Sequence, residues 1–575
     1  MVALTVALAS CLEVAARALA PVPYAPRARD LVLSLLCYGA AAVPACIVAW
    51  GGFRWSRLQA AALAGPLGLL VVNLAFSYGT QSKELLCLFA LLGVGLGTPA
   101  IHRASPRLLG TATAMCLAIV AVAWLLPSHR PASSKPSVLL VMLDTTRADR
   151  LSVYGYPRAT SPNLAALAQR GVVYRRAIST APWTVPSHAA IFAGRFPSQV
   201  GFDGVTLDGS LGAAGSIAMD LANSGRVTAG VTANPIVSAT DGLVVGFGAM
   251  WDEWRLTRSM PETVLYRLTD WSQEQTHGDR ITALALDWVD RLVSAGQPWL
   301  LFLNYMDPHA PYSPPERERQ LFSSEEGITS IDDPRAYNAG ALPLTAAVRT
   351  AISDLYDGEL ATMDRAVGHL LQQLSRRGYD VDTNLFLIIA GDHGESLGEQ
   401  GVLGHQLGLP DTVLHVPLLI AGPGVQPAVV DPPVQTVQIR ATVRALLGLT
   451  DSTTDVAPAL PPWGTAPAML ISQHPFPRWY HDELRTWNPH FDSSPWLGDW
   501  VAVERDGLKV VFNDRGSGSQ YDLRADPHER DPKPVSEGAE LVQTYRALPI
   551  ASMSRRPAVL SEQARSAMRQ LGYIQ

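Results

Sequence analysis

Three segments of the sequence place acidic or imidazole side chains directly after apolar runs. They hold Asp144, Asp307 with His309, and Asp392 with His393. A neighbouring carboxylate and imidazole suit a divalent metal ion, which takes mixed oxygen and nitrogen ligands. A lone aspartate after a strand more often caps the next helix, so Asp144 by itself allows either role. The threefold recurrence of the pattern favours a metal site.

A fourth segment places a hydroxyl group where a helix is predicted to begin. Pro186 suits the first position of this helix, and Gly194 can end it. Thr184 would then lie at or just before the helix N-terminus, where free N–H groups and the helix dipole favour an anion. On this segment alone, the ordinary interpretation of Thr184 is a helix N-cap.

The apolar runs before these residues predict the strands that position them. Val138–Leu143, Trp299–Leu303 and Leu385–Ala390 lack the alternation of a half-exposed strand, which is typical of strands buried in a parallel sheet. Helical patterns fill the intervals, at Pro162–Arg170, Arg280–Ser294, Thr345–Arg376 and Thr436–Leu447. We therefore predict an α/β architecture. Because ligands bind beyond the carboxyl ends of such strands, the polar segments are expected to share one site.

Charge and cysteine are unevenly distributed over the 575 residues. Through residue 130 there are nine basic and three acidic residues, a net charge of +6, and the rest of the chain carries 36 and 48, a net charge of −12. All five cysteines lie in the first part. The long part is therefore not expected to be a disulfide scaffold, a thiolate zinc protein or a cysteine-nucleophile enzyme. Its negative charge argues against a nucleic-acid partner.

The first 128 residues predict a multi-span membrane domain of four or five helices. Four runs without charged residues, 31–50, 58–78, 85–101 and 108–127, have about the length that crosses a bilayer. Val2–Ala20 is a fifth candidate. A soluble bundle is the alternative, but its helices would alternate polar and apolar faces. Arginine pairs in the 51–57 and 102–107 loops favour a cytoplasmic position for these loops. We predict a multi-pass protein of the cell membrane, with the large domain extracytoplasmic.

Residues 137–575 resemble the sulfatases of the alkaline phosphatase superfamily in eight blocks that occur in order. The blocks are Ser137–Asp149, Gly155–Leu164, Thr184–Arg195, Asp307–Tyr312, Asp392-His393-Gly394-Glu395, Gly404-His405, Val416–Gly424 and Gln520–Glu529. The resemblance implies a sulfatase-like α/β core sheet flanked by helices, followed by a small C-terminal antiparallel subdomain. It also implies an enzyme that acts on ester bonds.

The expected domain boundaries follow from the resemblance and from the predicted membrane spans. They are a transmembrane domain at 1–128, a linker at 129–136, a catalytic domain at 137–450 and a C-terminal subdomain at 451–575. Within the last, Trp500–Glu504 and Leu508–Phe512 predict a hairpin around an Asp-Gly turn. Gln520–Leu523 could add a third strand, and Ser561–Leu571 predicts a closing helix.

The chain departs from true sulfatases at the nucleophile. Those enzymes carry a cysteine or serine that is converted to formylglycine, whereas this chain has Thr184. The usual arginine after the Pro-Ser pair is His188, the second aspartate of the opening pair is Thr145, and the Asp-Asn pair is Asp392-His393. Together these changes resemble the phosphoethanolamine and phosphoglycerol transferase branch. That branch uses a metal-bound threonine and also carries an N-terminal membrane domain.

This resemblance implies one divalent ion (Zn, Mn, Mg or Ca) held by Asp144, Thr184, Asp392 and His393. The ion would activate the Thr184 hydroxyl as nucleophile and neutralise charge on the transferred group. A phospho-threonine can be opened by water or an alcohol, whereas a sulfo-threonine lacks the elimination by which formylglycine expels sulfate. We therefore predict transfer or hydrolysis of a phosphate ester, with lipids and glycans as candidate substrates.

Two alternative functions stay open. The first is a sulfuric ester hydrolase with an unmodified nucleophile. The second is a non-catalytic membrane protein with a decayed site, which the histidine at position 188 suggests. His309 and His405 are candidates for contacting the anion or protonating the leaving group, although either could only brace a strand end.

Five further side chains carry weaker expectations. His188 should face the same pocket if it follows Thr184 by one helical turn. Arg147 is expected to pair with Asp149. His474, His481 and His490 lie in a Trp- and Pro-rich segment and are interpreted as surface residues or as contacts of an acceptor.

Overall fold

The computed structural model describes residues 135–202, 207, 210–240, 242–252, 277–323, 328–449, 457–550 and 562–570. The predicted membrane spans, most of the predicted linker and the predicted helix cap at Ser561 lie outside these residues. Within the described ranges, no helix is both long enough and apolar enough to cross a bilayer. The membrane domain therefore stays a prediction.

The strands are given first, because they position the site. In chain order they are β1 Ser137–Leu143, β2 Val172–Tyr174, β3 Ala177–Ile178, β4 Val227–Thr232, β5 Ala249–Asp252, β6 Trp299–Tyr305, β7 Leu385–Gly391, β8 Ser396–Leu397, β9 Leu403–Gly404, β10 His415–Val416, β11 Leu418–Ala421, β12 Ala428–Val430, β13 Val434–Gln435, β14 Leu470–His474, β15 Trp500–Arg505, β16 Leu508–Asn513, β17 Gly518–Asp522 and β18 Lys533–Pro534.

An eight-stranded sheet has the order β12-β2-β11-β7-β1-β6-β4-β5. The three predicted strands are its adjacent members β7, β1 and β6, and every residue in them is buried. Leu143 of β1 aligns with Tyr305 of β6 and with Gly391 of β7. Since all three strands are parallel, the polar segments that follow them leave the sheet at one edge, as predicted.

The sheet is mixed, which corrects the expectation of a parallel sheet. β11 runs antiparallel to both β7 and β2. Leu418–Ala421 is fully buried. An uninterrupted apolar run predicts that a strand is buried on both faces, but it does not predict whether the strand runs parallel or antiparallel to its neighbours.

Helices cover the intervals between the strands, and the predicted ones are present. They are Pro162–Ala168, Thr184–Ala193, Ser210–Ala214, Ile217–Asn223, Pro235–Ala239, His277–Ala295, Glu316–Phe322, Arg335–Asn338, Ala346–Arg376, Asp411–Leu414, Ile439–Leu446, Arg478–Trp487, Glu540–Arg546 and Glu562–Gln570. Short 3-10 turns also occur, among them Thr436–Gln438 before Ile439–Leu446.

The helix Thr184–Ala193 begins two residues earlier than predicted. Pro186 is its third residue instead of its first. The N–H groups of the first turn have no partner within the helix, so proline is tolerated at any of these positions and does not fix where the helix begins. Gly194 ends the helix with a positive φ of 64°, as expected for a glycine C-cap. Thr184 is therefore the first helical residue, and Trp183 occupies the N-cap position.

The C-terminal part forms the expected antiparallel sheet, with the order β14-β15-β16-β17-β18. The β15–β16 hairpin and the third strand β17 match the prediction. The Lys509 ammonium, almost fully buried, lies 2.8 Å from Asp411 Oδ1 and 2.6 Å from Glu529 Oε1. This ion cluster connects the C-terminal sheet to the short helix Asp411–Leu414 of the core.

Two of the three histidines assigned to the surface are buried. His474 ends β14, and His481 lies in the helix Arg478–Trp487, each with only 1% of its surface exposed. The ring of His481 packs on Phe476, with 4.6 Å between ring centroids. A neutral imidazole packs as an aromatic ring, so the polar residue type misled the sequence interpretation. His490 is exposed, as predicted.

Candidate active site

Asp144, Asp392 and His393 converge at the carboxyl edge of β1 and β7. One ligand atom from each lies within 4.8 Å of the other two. His393 Nε2 is 3.6 Å from Asp144 Oδ1 and 3.5 Å from Asp392 Oδ2. All three side chains are fully buried. The sequence prediction that these residues come together is matched by this geometry.

The donor set of this cluster fits one divalent cation. Within the described part of the chain, Asp144 Oδ1 and Asp392 Oδ2 have no hydrogen-bond partner. Buried carboxylate oxygens normally have partners, because an unpaired buried charge is costly. His393 Nδ1 lies 3.0 Å from the Gly394 carbonyl, to which it donates, so that its Nε2 lone pair faces the two carboxylates. A cation would satisfy all three atoms.

The two carboxyl groups repel each other in this buried setting. Burial raises the pKa of Asp392 well above its usual value, and the charge of Asp144 raises it further. Burial opposes ionisation of Asp144 as well, but His393, His309 and a hydrogen bond from Asn234 outweigh this and lower its pKa. Burial also lowers the pKa of His393, which keeps its ring neutral and able to bind a metal.

Thr184 brings its hydroxyl group to this cluster. Its Oγ1 lies 3.4 Å from His393 Nε2, and the residue is fully buried. The Thr184 carbonyl accepts a hydrogen bond of 2.9 Å from His188 Nδ1, one helical turn further on. The same nitrogen is 3.4 Å from Asp392 Oδ2, so His188 faces the pocket as predicted.

Two asparagines of the site had no role in the sequence analysis. Asn234 Nδ2 donates to Asp144 Oδ2 at 2.9 Å and to Thr184 Oγ1 at 3.3 Å. Asn304 Nδ2 donates to the same Asp144 oxygen at 3.4 Å. Both residues follow or end a buried strand, which is the pattern that identified the aspartates. A neutral amide after a strand does not by itself indicate a metal site, so the two asparagines gave no signal in the sequence.

His309 and His405 line one side of the cluster. The His405 ring lies 4.4 Å from the His393 ring and 5.4 Å from the His309 ring, between centroids. His405 Nδ1 is 3.0 Å from Glu395 Oε1. Burial lowers the pKa of His405 to about 3 and raises that of Glu395 to about 8. With Glu395 protonated, its hydroxyl donates to His405 Nδ1, and Nε2–H is then the donor on the opposite side of the ring.

The turn after Asp144 is strained. Thr145 has a positive φ of 51°, which is unusual for a β-branched residue. Its hydroxyl donates to the Asp144 carbonyl at 2.8 Å. Arg147, in the same segment, pairs with Asp149 as predicted and also contacts Glu399 at 2.7 Å. Strain of this kind concentrates at functional sites, where the surrounding contacts hold it in place.

The chain belongs to the sulfatase family, whose family model matches residues 136–449, more than half of the chain. The family prediction is thereby confirmed, and so is the prediction of an ester-acting enzyme.

Individual relatives agree with this assignment. A sulfatase of Formosa agariphila is 24% identical over 436 residues, which cover 69% of this chain and 82% of that protein. The phosphonate monoester hydrolase of Agrobacterium radiobacter superposes with a TM-score of 0.54 at 22% identity, covering 76% of this chain and 96% of that one. A protein solved with its substrate D-glucosamine-2-N,6-O-disulfate gives a TM-score of 0.52 at 15% identity, covering 76% and 98%.

Proposed function

We propose that the chain hydrolyses anionic esters with Thr184 as its nucleophile. The observation that carries this proposal is the position of Thr184 Oγ1, 3.4 Å from His393 Nε2 at the Asp144–Asp392–His393 cluster. A hydroxyl at the first residue of a helix also faces the free backbone N–H groups that favour an anionic substrate.

The four side chains Asp144, Thr184, Asp392 and His393 would hold one divalent ion. When bound, this ion supplies the Lewis acidity that lowers the pKa of a hydroxyl and offsets charge on the transferred group. Asp144 and Asp392 provide the negative charge, and His393 provides a neutral nitrogen. This intact set of ligands argues against the decayed-site alternative.

The first candidate substrate is a sulfuric ester, for which water would attack the sulfur of a sulfo-threonine, break its bond to Thr184 Oγ1 and release sulfate. The family and its curated relatives support this alternative better than the phosphate ester that the sequence predicts. Phosphate and phosphonate esters are the second candidate, favoured by the unmodified threonine, because water can open a phospho-threonine by direct attack at phosphorus. Sulfated sugars make a suitable first panel, since a structural neighbour was solved with one.

An assay with matched ester reporters separates these substrate classes. Purified protein would be given aryl sulfate, aryl phosphate and aryl phosphonate monoesters, each with and without Zn, Mn, Mg or Ca. Sulfate release that requires Thr184 supports the first candidate, and phosphate or phosphonate turnover supports the second. Absence of every activity across all four metals would contradict the proposed function.

His405 is proposed to contact the anion of the substrate through Nε2–H. His405→Ala is expected to lower kcat/KM roughly 10- to 100-fold, the loss of one hydrogen bond to a charged group. The factor should be the same for aryl and alkyl esters, because an anion contact does not depend on the leaving group. The exposed His490→Ala is the control. A loss confined to alkyl esters would instead show that His405 protonates the leaving group.

We further propose that residues 1–128 anchor the enzyme in the cell membrane, with its catalytic domain outside the cytoplasm. The uncharged runs and the arginine pairs of the intervening loops support this arrangement. A phosphatase reporter fused after Gln575 should be active in whole cells, and a fluorescent reporter that folds only in the cytoplasm should be dark. The reverse pattern would contradict the orientation.

A further inference from the structure

Asn234 occupies an unusual position, since a single side chain touches both the proposed nucleophile and a proposed metal ligand. It is fully buried, in the segment that follows β4, whereas Thr184 and Asp144 lie far away in sequence. Its Nδ2 reaches Asp144 Oδ2 at 2.9 Å and Thr184 Oγ1 at 3.3 Å. One amide nitrogen carries two hydrogens, so both bonds can form together.

The orientation of the amide is fixed by its neighbours. Asn234 Oδ1 accepts a hydrogen bond of 3.1 Å from the Ile236 N–H and caps the helix Pro235–Ala239. A flipped amide would place its oxygen against the Asp144 carboxylate and its NH₂ group against that N–H. The side-chain nitrogen of Asn234 must therefore face Thr184. The backbone N–H of Asn234 donates at 3.2 Å to Asn304 Oδ1, which also accepts from Thr232 Oγ1 at 3.0 Å, so the Asn304 amide likewise turns its nitrogen to Asp144.

This arrangement gives the two oxygens of the Asp144 carboxylate different roles. Both asparagines donate to Oδ2, whereas Oδ1 has no hydrogen-bond partner within the described residues and faces His393. Outer hydrogen bonds of this kind orient a ligand and leave its other oxygen for the metal.

The same nitrogen constrains the Thr184 hydroxyl. Because Oγ1 accepts from Asn234, its own proton and its remaining lone pair must point elsewhere, on the side where His393 lies. A donor already aimed at this oxygen also stabilises the negative charge that develops there when the proton leaves. A bond of 3.3 Å is long, but such bonds often tighten once substrate is bound.

We propose that Asn234 is a positioning residue for the nucleophile, holding the Thr184 hydroxyl against the Asp144–Asp392–His393 cluster through its Nδ2. This inference rests on the proposed function of Thr184. The competing explanation is that Asn234 serves only as a helix cap, since asparagine is a preferred residue there.

The variant Asn234→Ser separates these two roles. Serine caps helices about as well as asparagine, but it has no amide nitrogen with which to reach Thr184 and Asp144. We expect Asn234→Ser and Asn234→Ala to lower kcat by about 10²-fold on the reporter that the wild-type protein hydrolyses best. KM should change less than about twofold, since the lost contact acts on the nucleophile and not on bound substrate.

Ser216→Ala is the matched control. Ser216 caps the helix Ile217–Asn223 by accepting from the Met219 N–H at 3.2 Å and also donates to the Val245 carbonyl at 2.5 Å, so its loss reports the effect of a missing cap together with that one hydrogen bond. It should leave kcat and KM at wild-type values. Because Asn234 also holds the proposed metal ligand Asp144, its loss should weaken metal affinity, so the assays are run at saturating metal and the bound metal of each variant is measured by mass spectrometry.

The outcomes distinguish failure of the Asn234 positioning role from failure of the proposed function of Thr184. Wild-type kcat in Asn234→Ser would overturn the positioning role and leave Asn234 as a cap. A raised KM with unchanged kcat would also overturn it. If Thr184→Ala keeps full activity, the proposed function itself fails, whatever the Asn234 variants show.

Discussion

Replacing Thr184 with alanine is expected to lower kcat by about 10⁴-fold or more, the loss seen when a nucleophile is removed from a cooperating set of catalytic groups. In the proposed mechanism this hydroxyl forms the covalent bond with the substrate, and it lies 3.4 Å from His393 Nε2. Metal binding should persist in weakened form, because Asp144, Asp392 and His393 are unchanged while the Thr184 ligand is lost. Steady-state kinetics with parallel metal analysis measures both effects.

Two comparisons make this result specific. Thr184→Ser keeps a hydroxyl group and should retain more activity than Thr184→Ala. Thr362→Ala removes a buried helical threonine that donates to the Gly358 carbonyl at 2.9 Å, and it should leave kcat unchanged. High-accuracy mass measurement of the 181–195 peptide after substrate addition would show whether Thr184 carries a phosphoryl or a sulfuryl group. Near wild-type turnover by Thr184→Ala would show that Thr184 is not the nucleophile.

The substitution Asp392→Asn is expected to have opposite effects with and without metal. In the metal-free protein the pKa of Asp392 lies well above its unfolded value, through burial and the charge of Asp144. A raised carboxyl pKa stabilises the fold below the unfolded pKa, and that contribution is lost as pH rises through the folded pKa. Asp392→Asn should therefore stabilise the metal-free protein near neutral pH and have little effect at acidic pH.

With metal, the same variant should lose both activity and metal-dependent stability. A ligand present at 100 times its Kd stabilises the native state by about 2.7 kcal/mol, and Asp392→Asn should abolish most of this gain. Chelation should do the same to the wild type and reverse when metal returns. Denaturant unfolding with and without the ion measures the difference.

The exposed Asp431→Asn serves as the control for this experiment, since it removes one charge from a surface carboxylate that pairs with the exposed Arg175. It should retain the full metal-dependent stabilisation. Equal stabilisation by metal in Asp392→Asn and the wild type would show that the ion binds elsewhere.

The sequence predicted the centre of the fold because its signals are local. β1, β6 and β7 are apolar at nearly every position, and such runs identify buried strands without reference to the rest of the chain. The residues directly after them are covalently tied to the strand ends, so a parallel arrangement carries them to one edge. Asp144, Asp392 and His393 could be assigned to one site for this reason.

The sequence did not predict the first residue of the Thr184 helix or the direction of β11. A proline is tolerated throughout the first helical turn, so its position does not fix the first residue. The run Leu418–Ala421 is buried on both faces in either direction, and only its pairing with β7 and β2 decides that it is antiparallel.

By itself, the sequence determined the three central strands of the core and the residues that could bind a metal, because both depend on residue type and local spacing, and its ordered motifs identified the family by resemblance. Only the tertiary structure decided that Asn234 and Asn304 turn their amides to Asp144, and that Asn234 also reaches Thr184. A neutral amide at a strand end has the same local pattern whether it caps a helix or orients a nucleophile. The difference arises from the few ångströms between side chains that the folded sheet brings together.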